Sequence, residues 1–351
     1  MMQDDIRKQI YAGTLKPGAS LLSESELAKK YGISRGSVRT GLRLLREKGI
    51  IEVLPGKGAF VSSRPAAIQP VTRKNRIALV IPSLEDSDLQ IYEGIEAVLD
   101  EAGFVLSIFN SRRSIEQENS NLTLLLERRE EGAIVFPNWG RSNAQMIYEL
   151  KRADYPFVLI DRYFRDLETD YVVTDNKAGG FIAAEHLIRL GHRRIGVILG
   201  VQCTAVDDRY AGFMEALAKY GLDLDPNLIV RMEKTADAEP LSGGYDGAVK
   251  LLEKQPTAIF ATNDFIARET LKALNSHNLS VPGDVSVIGF DNQRFAEELV
   301  PSLTTIAQPF MDIGRRAAQI LLAKIQNGQN QVRQETLPPR LIVRNSCKNM
   351  A

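Results

Sequence analysis

The chain has 351 residues, more than one compact domain usually holds, and its 44 Lys and Arg residues balance 44 Asp and Glu residues. It has only two cysteines, Cys203 and Cys347, and they lie far apart in the sequence, which argues against a disulfide framework and against a cysteine metal site. The N-terminus lacks the pattern of a signal peptide, and no apolar run is long enough to span a membrane. We therefore expect a cytoplasmic protein with no membrane partner.

The zero net charge conceals an uneven distribution along the chain. Residues 1–74 carry 14 Lys and Arg against 6 Asp and Glu, a net charge of +8, so residues 75–351 carry −8. Small domains often have uneven charge by chance. A basic segment joined to a larger acidic one is nevertheless what a DNA-binding domain attached to a small-molecule sensor would show.

Residues 21–61 predict a short helix, a tight turn, a second helix and a two-stranded hairpin. Ser23 and Glu26 have the spacing of a capping box at the start of the first helix. Gly32 suits a left-handed residue in the turn, and Ser34 can cap the second helix.

The second helix, about 35–48, has two faces of different character. Its apolar stripe consists of Val38, Leu42 and Leu45, and beside that stripe lie Arg35, Arg39, Arg43 and Arg46. An arginine-rich face is by itself usually only solvated. Together with the capping box, the turn and a basic hairpin tip at Lys57, it indicates a winged helix-turn-helix, which places its second helix in a DNA major groove.

Residues 4–62 resemble the GntR family of bacterial repressors. The resemblance is carried by Ser23-Glu24-Ser25-Glu26-Leu27-Ala28, Gly32-Ile33-Ser34-Arg35 and Gly56-Lys57-Gly58-Ala59-Phe60-Val61. It implies base and phosphate contacts from Ser34, Arg35, Ser37 and Arg39, with backbone contacts near Gly56 and Lys57. The sequence departs from the family at Ser25, where a DNA-contacting arginine is common.

The domain limits follow from changes in pattern. Residues 1–62 form the DNA-binding domain, residues 63–74 contain two prolines and no apolar period and read as a linker, and residues 75–351 form the rest. From Arg76 onward, short apolar strands alternate with helices, which predicts an α/β domain of parallel sheets covered on both faces. The number of units suggests two lobes.

Ligands of open α/β sheets bind beyond the carboxyl ends of the strands. Polar or aromatic residues in such places, or at the start of a following helix, are Asn138, Trp139, Asp161, Arg162, Asp175, Arg209, Asn263, Asp264, Asp291 and Asn292. Carboxylates, an amide and an arginine can share hydrogen bonds with several hydroxyls, and a tryptophan can face a sugar ring. Each Asp or Asn could instead cap a helix, and Asp175 and Asp264 are the strongest candidates for that role.

Residues 76–346 resemble the LacI/GalR repressors and, through them, the periplasmic sugar-binding proteins. The resemblance is carried by Gly191-His192-Arg193-Arg194-Ile195, Asp208-Arg209-Tyr210-Ala211-Gly212-Phe213, Thr262-Asn263-Asp264 and Val287-Ile288-Gly289-Phe290-Asp291-Asn292. It implies two lobes joined by three crossovers, lobe 1 being about 75–162 and 294–328 and lobe 2 about 163–293 and 329–351. It also implies effector contacts from Asp161, Arg209, Asn263 and Asp291.

One loop departs from the LacI pattern. The family often has aromatic residues after the first strand, whereas this chain has a polar loop, 85–90, in which Asp88 would add a polar contact. The combination of a GntR-type domain with a LacI-type domain resembles the arabinose-repressor class.

These observations predict a dimeric, ligand-responsive repressor that reads a palindromic operator and binds a sugar-like effector between its lobes. Asp161 and Asp291 outnumber Arg209, which favours a neutral sugar over a sugar phosphate. We predict no catalytic residue, metal ligand or cofactor. The alternatives are a carbohydrate-metabolising enzyme and a solute-binding protein, each with a basic N-terminal extension.

Overall fold

A computed structural model of the protein describes residues 2–47, 49–54, 57–62, 75–128, 130–139, 144–223, 225–232, 243–328 and 331–350. The chain divides into two compact units, Met1–Lys74 and Asn75–Ala351. The predicted linker, 63–74, lies outside the described residues, as do Gly56 and Lys48. None of the helices in the described ranges is long and apolar enough to cross a membrane.

The first unit is built from three helices and a hairpin. Its elements are α1 (Met2–Tyr11), α2 (Glu24–Tyr31), α3 (Arg35–Glu47), β1 (Ile51–Leu54) and β2 (Gly58–Val61). The two strands pair antiparallel. This is the helix, turn, helix and wing that the sequence predicts.

Local sequence explains how α2 and α3 begin and end. The Ser23 side chain accepts from the Glu26 backbone and the Glu26 side chain accepts from the Ser23 backbone, so the predicted capping box forms. Gly32 ends α2 in the left-handed conformation, with φ 63°. The stripe of Val38, Leu42 and Leu45 is buried against α1, α2 and the hairpin, which anchors α3 by its apolar side.

The second unit contains two six-stranded sheets. Its elements are β3 (Arg76–Ile81), α4 (Asp86–Glu101), β4 (Val105–Asn110), α5 (Ile115–Arg128), β5 (Gly132–Val135), α6 (Ala144–Arg152), β6 (Phe157–Ile160), β7 (Tyr171–Thr174), α7 (Asn176–Arg189), β8 (Ile195–Leu199), α8 (Thr204–Lys219), a 3-10 turn (Pro226–Leu228), β9 (Ile229–Arg231), α9 (Gly243–Leu252), β10 (Ala258–Ala261), α10 (Asp264–Ser276), β11 (Ser286–Asp291), α11 (Phe295–Glu298), β12 (Thr304–Ala307), α12 (Phe310–Asn327), β13 (Gln334–Leu337) and β14 (Arg340–Ile342).

Both sheets have parallel cores. The first has the order β13-β7-β6-β5-β3-β4 and is parallel throughout, whereas the second, β14-β12-β11-β10-β8-β9, has one antiparallel edge strand, β14. Along β3, Ile77 and Leu79 enter one apolar core while Ala78 and Val80 enter another on the opposite face. The sheets are therefore covered by helices on both faces, which confirms the predicted α/β class.

Among the described strands the chain passes between the two sheets three times, but at other positions than predicted. The passages fall between β7 and α7, between β12 and α12, and between β13 and β14. The predicted limits at 162, 293 and 328 are wrong by the criterion of sheet membership. Strand β7 pairs with β6 of the first lobe, and β12 pairs with β11 of the second, so each strand belongs to the lobe opposite to the predicted one.

Each lobe contains a pair of helices that touch through glycine. A Cβ at Gly94 would lie 2.0 Å from the Met311 carbonyl oxygen, and one at Gly314 would lie 2.2 Å from the Ile91 oxygen, so α4 and α12 meet backbone to backbone. The same applies to α7 and α8, where a Cβ at Gly180 would lie 1.9 Å from the Arg209 carbonyl oxygen. Helix α8 thus sits against α7 at the residue that carries a predicted effector contact.

Candidate functional site

The exposed face of α3 carries the predicted DNA contacts. Ser34, Arg35, Ser37 and Arg39 are all exposed. The Ser37 backbone donates to the Ser34 hydroxyl at 3.1 Å, and the two hydroxyls are 2.9 Å apart, so they form a local cap at the helix start. The structure therefore presents these four side chains together on the first two turns of α3.

Arg39 is held by a partner within the same unit. Its Nε donates to Glu24 Oε2 at 2.8 Å, while 71% of the Arg39 side chain stays exposed. An exposed pair of this kind contributes little to stability. It restrains the guanidinium above the helix face without burying it.

The tip of the wing is described only in part. The Lys57 backbone donates to the Leu54 carbonyl at 3.0 Å, which closes the hairpin turn, and the Lys57 side chain is exposed. Gly58 follows with φ 99°, a conformation that favours glycine. Predicted contacts from Gly56 fall outside the described residues.

In the second unit, a cavity of about 90 Å³ opens between the two sheets; we call it the first cavity. All six predicted effector residues line it: Asp88, Trp139, Asp161, Arg209, Asn263 and Asp291. The first three belong to the first lobe and the last three to the second. A ligand here would touch both lobes at the carboxyl ends of their strands.

Two of these residues have backbone conformations that asparagine and aspartate tolerate better than most residues. Asp161, directly after β6, has φ 64°, and Asp291, at the end of β11, has φ 112°. Such conformations cost on the order of 1–3 kcal/mol and are concentrated at binding sites. Neither side chain caps a helix, so the capping alternative does not account for them.

Arg209 is the most extensively bonded residue of the first cavity. Its Nε donates to Asn176 Oδ1 at 2.8 Å, and its Nη1 donates to the Thr262 carbonyl at 2.6 Å. Nη1 also lies 3.4 Å from Asp291 Oδ1, and the guanidinium stacks 3.7 Å from the Phe290 ring centroid. The surrounding groups fix this buried arginine in one orientation.

Burial shifts the ionisation of two carboxyl groups at the cavity. Burial raises the pKa of Asp88 to about 6, against opposing hydrogen bonds from Glu85 N and Ser83. Burial likewise raises the pKa of Asp291, while Arg209 and Gln308 favour its charged form. Both groups are therefore less acidic than an exposed aspartate.

Asp264 is a buried partner of this site rather than a helix cap, which corrects the prediction. It accepts from Gln293 N at 2.7 Å and from the Thr305 hydroxyl at 2.6 Å, and burial raises its pKa strongly. The cap of α10 is Asn263, which accepts from Ile266 N at 2.8 Å. Asp175 does cap α7, as predicted.

Two further arginines line the first cavity beside the six predicted effector residues. Arg162, which the strand-end rule picks out, follows Asp161 and bonds to it, with Nη2 2.8 Å from Asp161 Oδ2. Arg113 pairs with Glu85, and the guanidiniums of Arg162 and Arg113 lie 5.4 and 6.0 Å from the Trp139 ring centroid. Sequence reasoning missed Arg113, because nothing local in the sequence marks it.

Gln308 is a further missed residue, and it connects the cavity to the passages between the lobes. Its Nε2 donates to Asp291 Oδ1 at 2.7 Å, and its Oε1 accepts from the Thr174 hydroxyl at 2.5 Å. Thr174 ends β7 at one passage, and Gln308 follows β12 at another. Within the described residues, no cluster of three or more His, Cys, Asp or Glu side chains could hold a metal ion.

Two family models match the chain. Residues 1–61 match the bacterial regulatory proteins of the gntR family, and residues 184–347 match a periplasmic binding protein-like domain. The chain is 30% identical to the arabinose metabolism transcriptional repressor of Geobacillus stearothermophilus, over 99% of this chain and 97% of that protein. It is 33% identical to the HTH-type transcriptional regulator DegA of Bacillus subtilis, over 82% and 85% respectively.

Solved structures of similar fold are also transcription regulators. A LacI family regulator from Enterococcus faecium with bound ribose matches with a TM-score of 0.67 and 29% identity, over 79% of this chain and all of that one. A CelR–cellobiose complex matches with a TM-score of 0.71 and 25% identity, over 93% of this chain and all of that one. These relatives and solved structures are transcription regulators.

Proposed function

This chain belongs to the family of transcriptional regulators that join a GntR-type DNA-binding domain to a periplasmic binding protein-like domain, and we propose that a sugar-like effector in the first cavity controls its binding to operator DNA. As a repressor it would act on genes of carbohydrate use. The observation that carries the proposal is that six residues predicted from sequence line one cavity, three from each lobe.

The placement of the cavity gives the effector a way to act. A ligand that touches both lobes favours the lobe arrangement in which all its contacts are made, and this differential affinity shifts the population. Asp291 also bonds to Gln308, which bonds to Thr174 at another passage between the lobes. A ligand hydroxyl that takes over the Asp291 carboxylate would change this hydrogen-bond chain at two of the three passages.

The charges of the first cavity favour a neutral polyhydroxylated effector. Four carboxyl groups (Glu85, Asp88, Asp161, Asp291) accompany three guanidiniums (Arg113, Arg162, Arg209), and every guanidinium lies against a carboxylate. A phosphate would meet no surplus of positive charge. Proteins similar to this chain include a repressor of arabinose metabolism and regulators with bound ribose or cellobiose, so these sugars are the first to test.

We infer that the regulator works in the cytoplasm as a homodimer on a palindromic operator. Two copies of α3 related by a two-fold axis would occupy successive major grooves, so that the half-site spacing follows from protein symmetry. Ser34, Arg35, Ser37 and Arg39 would supply the base and phosphate contacts, with Gly56 and Lys57 at the wing.

The test is operator release by sugar. DNA sites are selected from a random library with the purified full-length protein, and affinity for a selected site is followed by fluorescence anisotropy while single sugars are added. We expect one sugar class to change operator affinity by about tenfold or more, since coupling energies are usually 1–3 kcal/mol. If a sugar that raises thermal stability leaves DNA affinity unchanged, the proposed coupling is wrong.

A further inference from the structure

A second cavity adjoins the first and is the larger of the two. It measures about 160 Å³, and the residues used below line it: Asn138, Ala144, Arg162, Tyr163, Cys203 and Asp207. Arg162 and Cys203 line both cavities, so these two side chains form the boundary between them. Like the first cavity, it takes its walls from both lobes.

Two buried polar side chains that line the second cavity, Asn138 and Arg162, have spare hydrogen-bonding capacity. Asn138 is 1% exposed; its Nδ2 donates to the Ser114 carbonyl at 3.2 Å, but its Oδ1 has no partner among the described residues. Arg162 is 8% exposed; its Nε and Nη2 bond to Asp161, but its Nη1 also has no partner there. One acceptor and one donor therefore remain at the same cavity, where leaving them unpaired is costly.

Hydrogen bonds between the two lobes fix another part of the second cavity, at Tyr163 and Thr204. The Tyr163 backbone donates to the Thr204 hydroxyl at 3.1 Å, and that hydroxyl lies 3.1 Å from the Tyr163 carbonyl. The Tyr163 ring stacks on Tyr171 with centroids 4.3 Å apart. The second cavity is thus formed in advance, which lowers the cost of ordering a ligand in it.

The charges of the second cavity do not favour an anion. Arg162 is paired with Asp161, Arg165 with Asp208 and Arg231 with Asp207, and the Asp166 carboxylate also lines the cavity. A hydroxyl group both donates and accepts, so a sugar ring can satisfy Arg162 and Asn138 together without bringing charge.

We propose that the second cavity is a subsite for a second sugar ring, so that the effector is a disaccharide or a glycoside. One ring occupies the first cavity beside the Arg209–Asp291 pair, and the next ring passes the boundary at Arg162 to reach Asn138. The inference rests on the proposed function, because it names the effector class of the same cleft. The two cavities together approach the ~300 Å³ that small-molecule sites typically start from.

The experiment compares each monosaccharide with its own disaccharide on the full-length protein by calorimetry. The pairs are glucose with cellobiose, galactose with lactose, and arabinose with arabinobiose, and glucose 6-phosphate is added as a charged probe. Two new hydrogen bonds in the second cavity predict that at least one disaccharide binds roughly tenfold or more tightly than its monosaccharide.

A steric variant locates the effect. Ala144 opens α6, is half-buried and lines only the second cavity, so Ala144→Phe fills that cavity without touching the first. Gln145→Phe is the matched control, because Gln145 is the next residue and is exposed. We expect Ala144→Phe to remove the disaccharide advantage and to leave monosaccharide affinity unchanged, whereas Gln145→Phe should change neither.

The outcomes separate the inference from the proposed function. If no sugar binds or alters operator affinity, the proposed function itself fails. If monosaccharides bind and release DNA while disaccharides bind no more tightly and Ala144→Phe has no effect, the second-ring subsite is wrong and the function stands. A preference for glucose 6-phosphate that Ala144→Phe abolishes would replace the second ring by a phosphate.

Discussion

The reading face of α3 and the first cavity are both rich in arginine and hydroxyl or carboxyl groups, but they hold these groups in opposite ways. On α3 the side chains that are proposed to contact DNA are exposed, and Arg39 pairs with Glu24 at the surface. In the cavity Arg209 is buried and bonds to Asn176, Thr262 and Asp291 at once. The first arrangement leaves the cation in solvent, and the second replaces solvent by protein.

This difference predicts how each site responds to change. A phosphate-binding surface that stays hydrated gains affinity from long-range charge, and that gain falls with salt. A buried polar cluster such as the one around Arg209 gains specificity because its groups already have partners that a ligand must match or displace. Substitutions should therefore alter affinity without stability at α3, and both together at the cavity.

The largest effect is expected from Arg209→Ala. It leaves the Asp291 carboxylate without this cationic partner and the Asn176 amide oxygen without the Arg209 donor, and breaking a buried pair from one side costs about 3–5 kcal/mol. Denaturant unfolding should show this loss, and the effector response should disappear below the unfolding transition. Lys177→Ala removes an exposed pair with Glu215 and serves as control, with little change expected. Equal stability of the two variants would contradict the buried-cluster interpretation.

The next effect concerns pH and Asp88. Its pKa of about 6 exceeds the ordinary value of 3.8, so the folded state holds the proton more tightly than the unfolded state. The stability that this provides is complete below about pH 4 and is lost as pH rises through 6, by up to about 3 kcal/mol.

Asp88→Asn keeps an oxygen that can accept from Ser83 and Glu85 N but removes the charge that faces Glu85 and Asp161. Unfolding free energies between pH 4.5 and 7.5 should then fall less steeply than in the wild type. An exposed aspartate on α12, changed by Asp312→Asn, provides the control slope. If the unfolding free energy of Asp88→Asn falls with pH as steeply as that of the wild type, Asp88 is not the group that causes the pH dependence.

A smaller effect is expected from Arg39→Ala. One arginine contact to a base is worth about 1–3 kcal/mol, so operator affinity should fall roughly tenfold to a hundredfold while the melting temperature is unchanged. Arg39→Lys keeps the charge but loses the planar fork, which separates phosphate attraction from base reading. Unchanged operator affinity in Arg39→Ala would remove this residue from the reading surface.

The smallest effect is expected from Glu24→Gln, which frees Arg39 from its surface partner. Operator affinity at low salt should rise by less than about fivefold, because exposed pairs are weak. The gain should vanish at high salt, where screening removes the effect of the Glu24 charge in the wild type. A gain that persists at 0.5 M salt would indicate a structural effect of the substitution.

Much of the fold follows from local sequence patterns. The capping box, the apolar stripe of α3 and the alternation of strand and helix are set by residues a few positions apart. The assignment of strands to lobes is not, because β7 and β12 look like any other apolar strand and only pairing decides which sheet they join. Strand β13 reaches the first sheet from the far end of the chain, and nothing in its own sequence marks that partner.

The first cavity divides in the same way. Residues directly after strands, such as Asp161 and Asp291, follow from the rule that ligands bind at strand ends, and both line the cavity. The strand-end rule does not identify Gln308 or Arg113 as cavity residues. Their roles depend on partners that lie 17 and 28 positions away in the sequence. For Asp264 the local sequence predicts a helix cap. Its buried role depends on a hydrogen bond from Thr305, 41 residues later, which the local sequence does not reveal.

The contact between α7 and α8 extends the regulatory site to a position that touches no ligand. Gly180 lies against the Arg209 backbone, so any side chain there must move the helix that carries Arg209. In a saturation-mutagenesis library, Gly180 should tolerate substitution as poorly as Arg209 itself. Variants that lose the effector response would then map to a glycine that touches no ligand, and the effector site would depend on the lack of a side chain at this position.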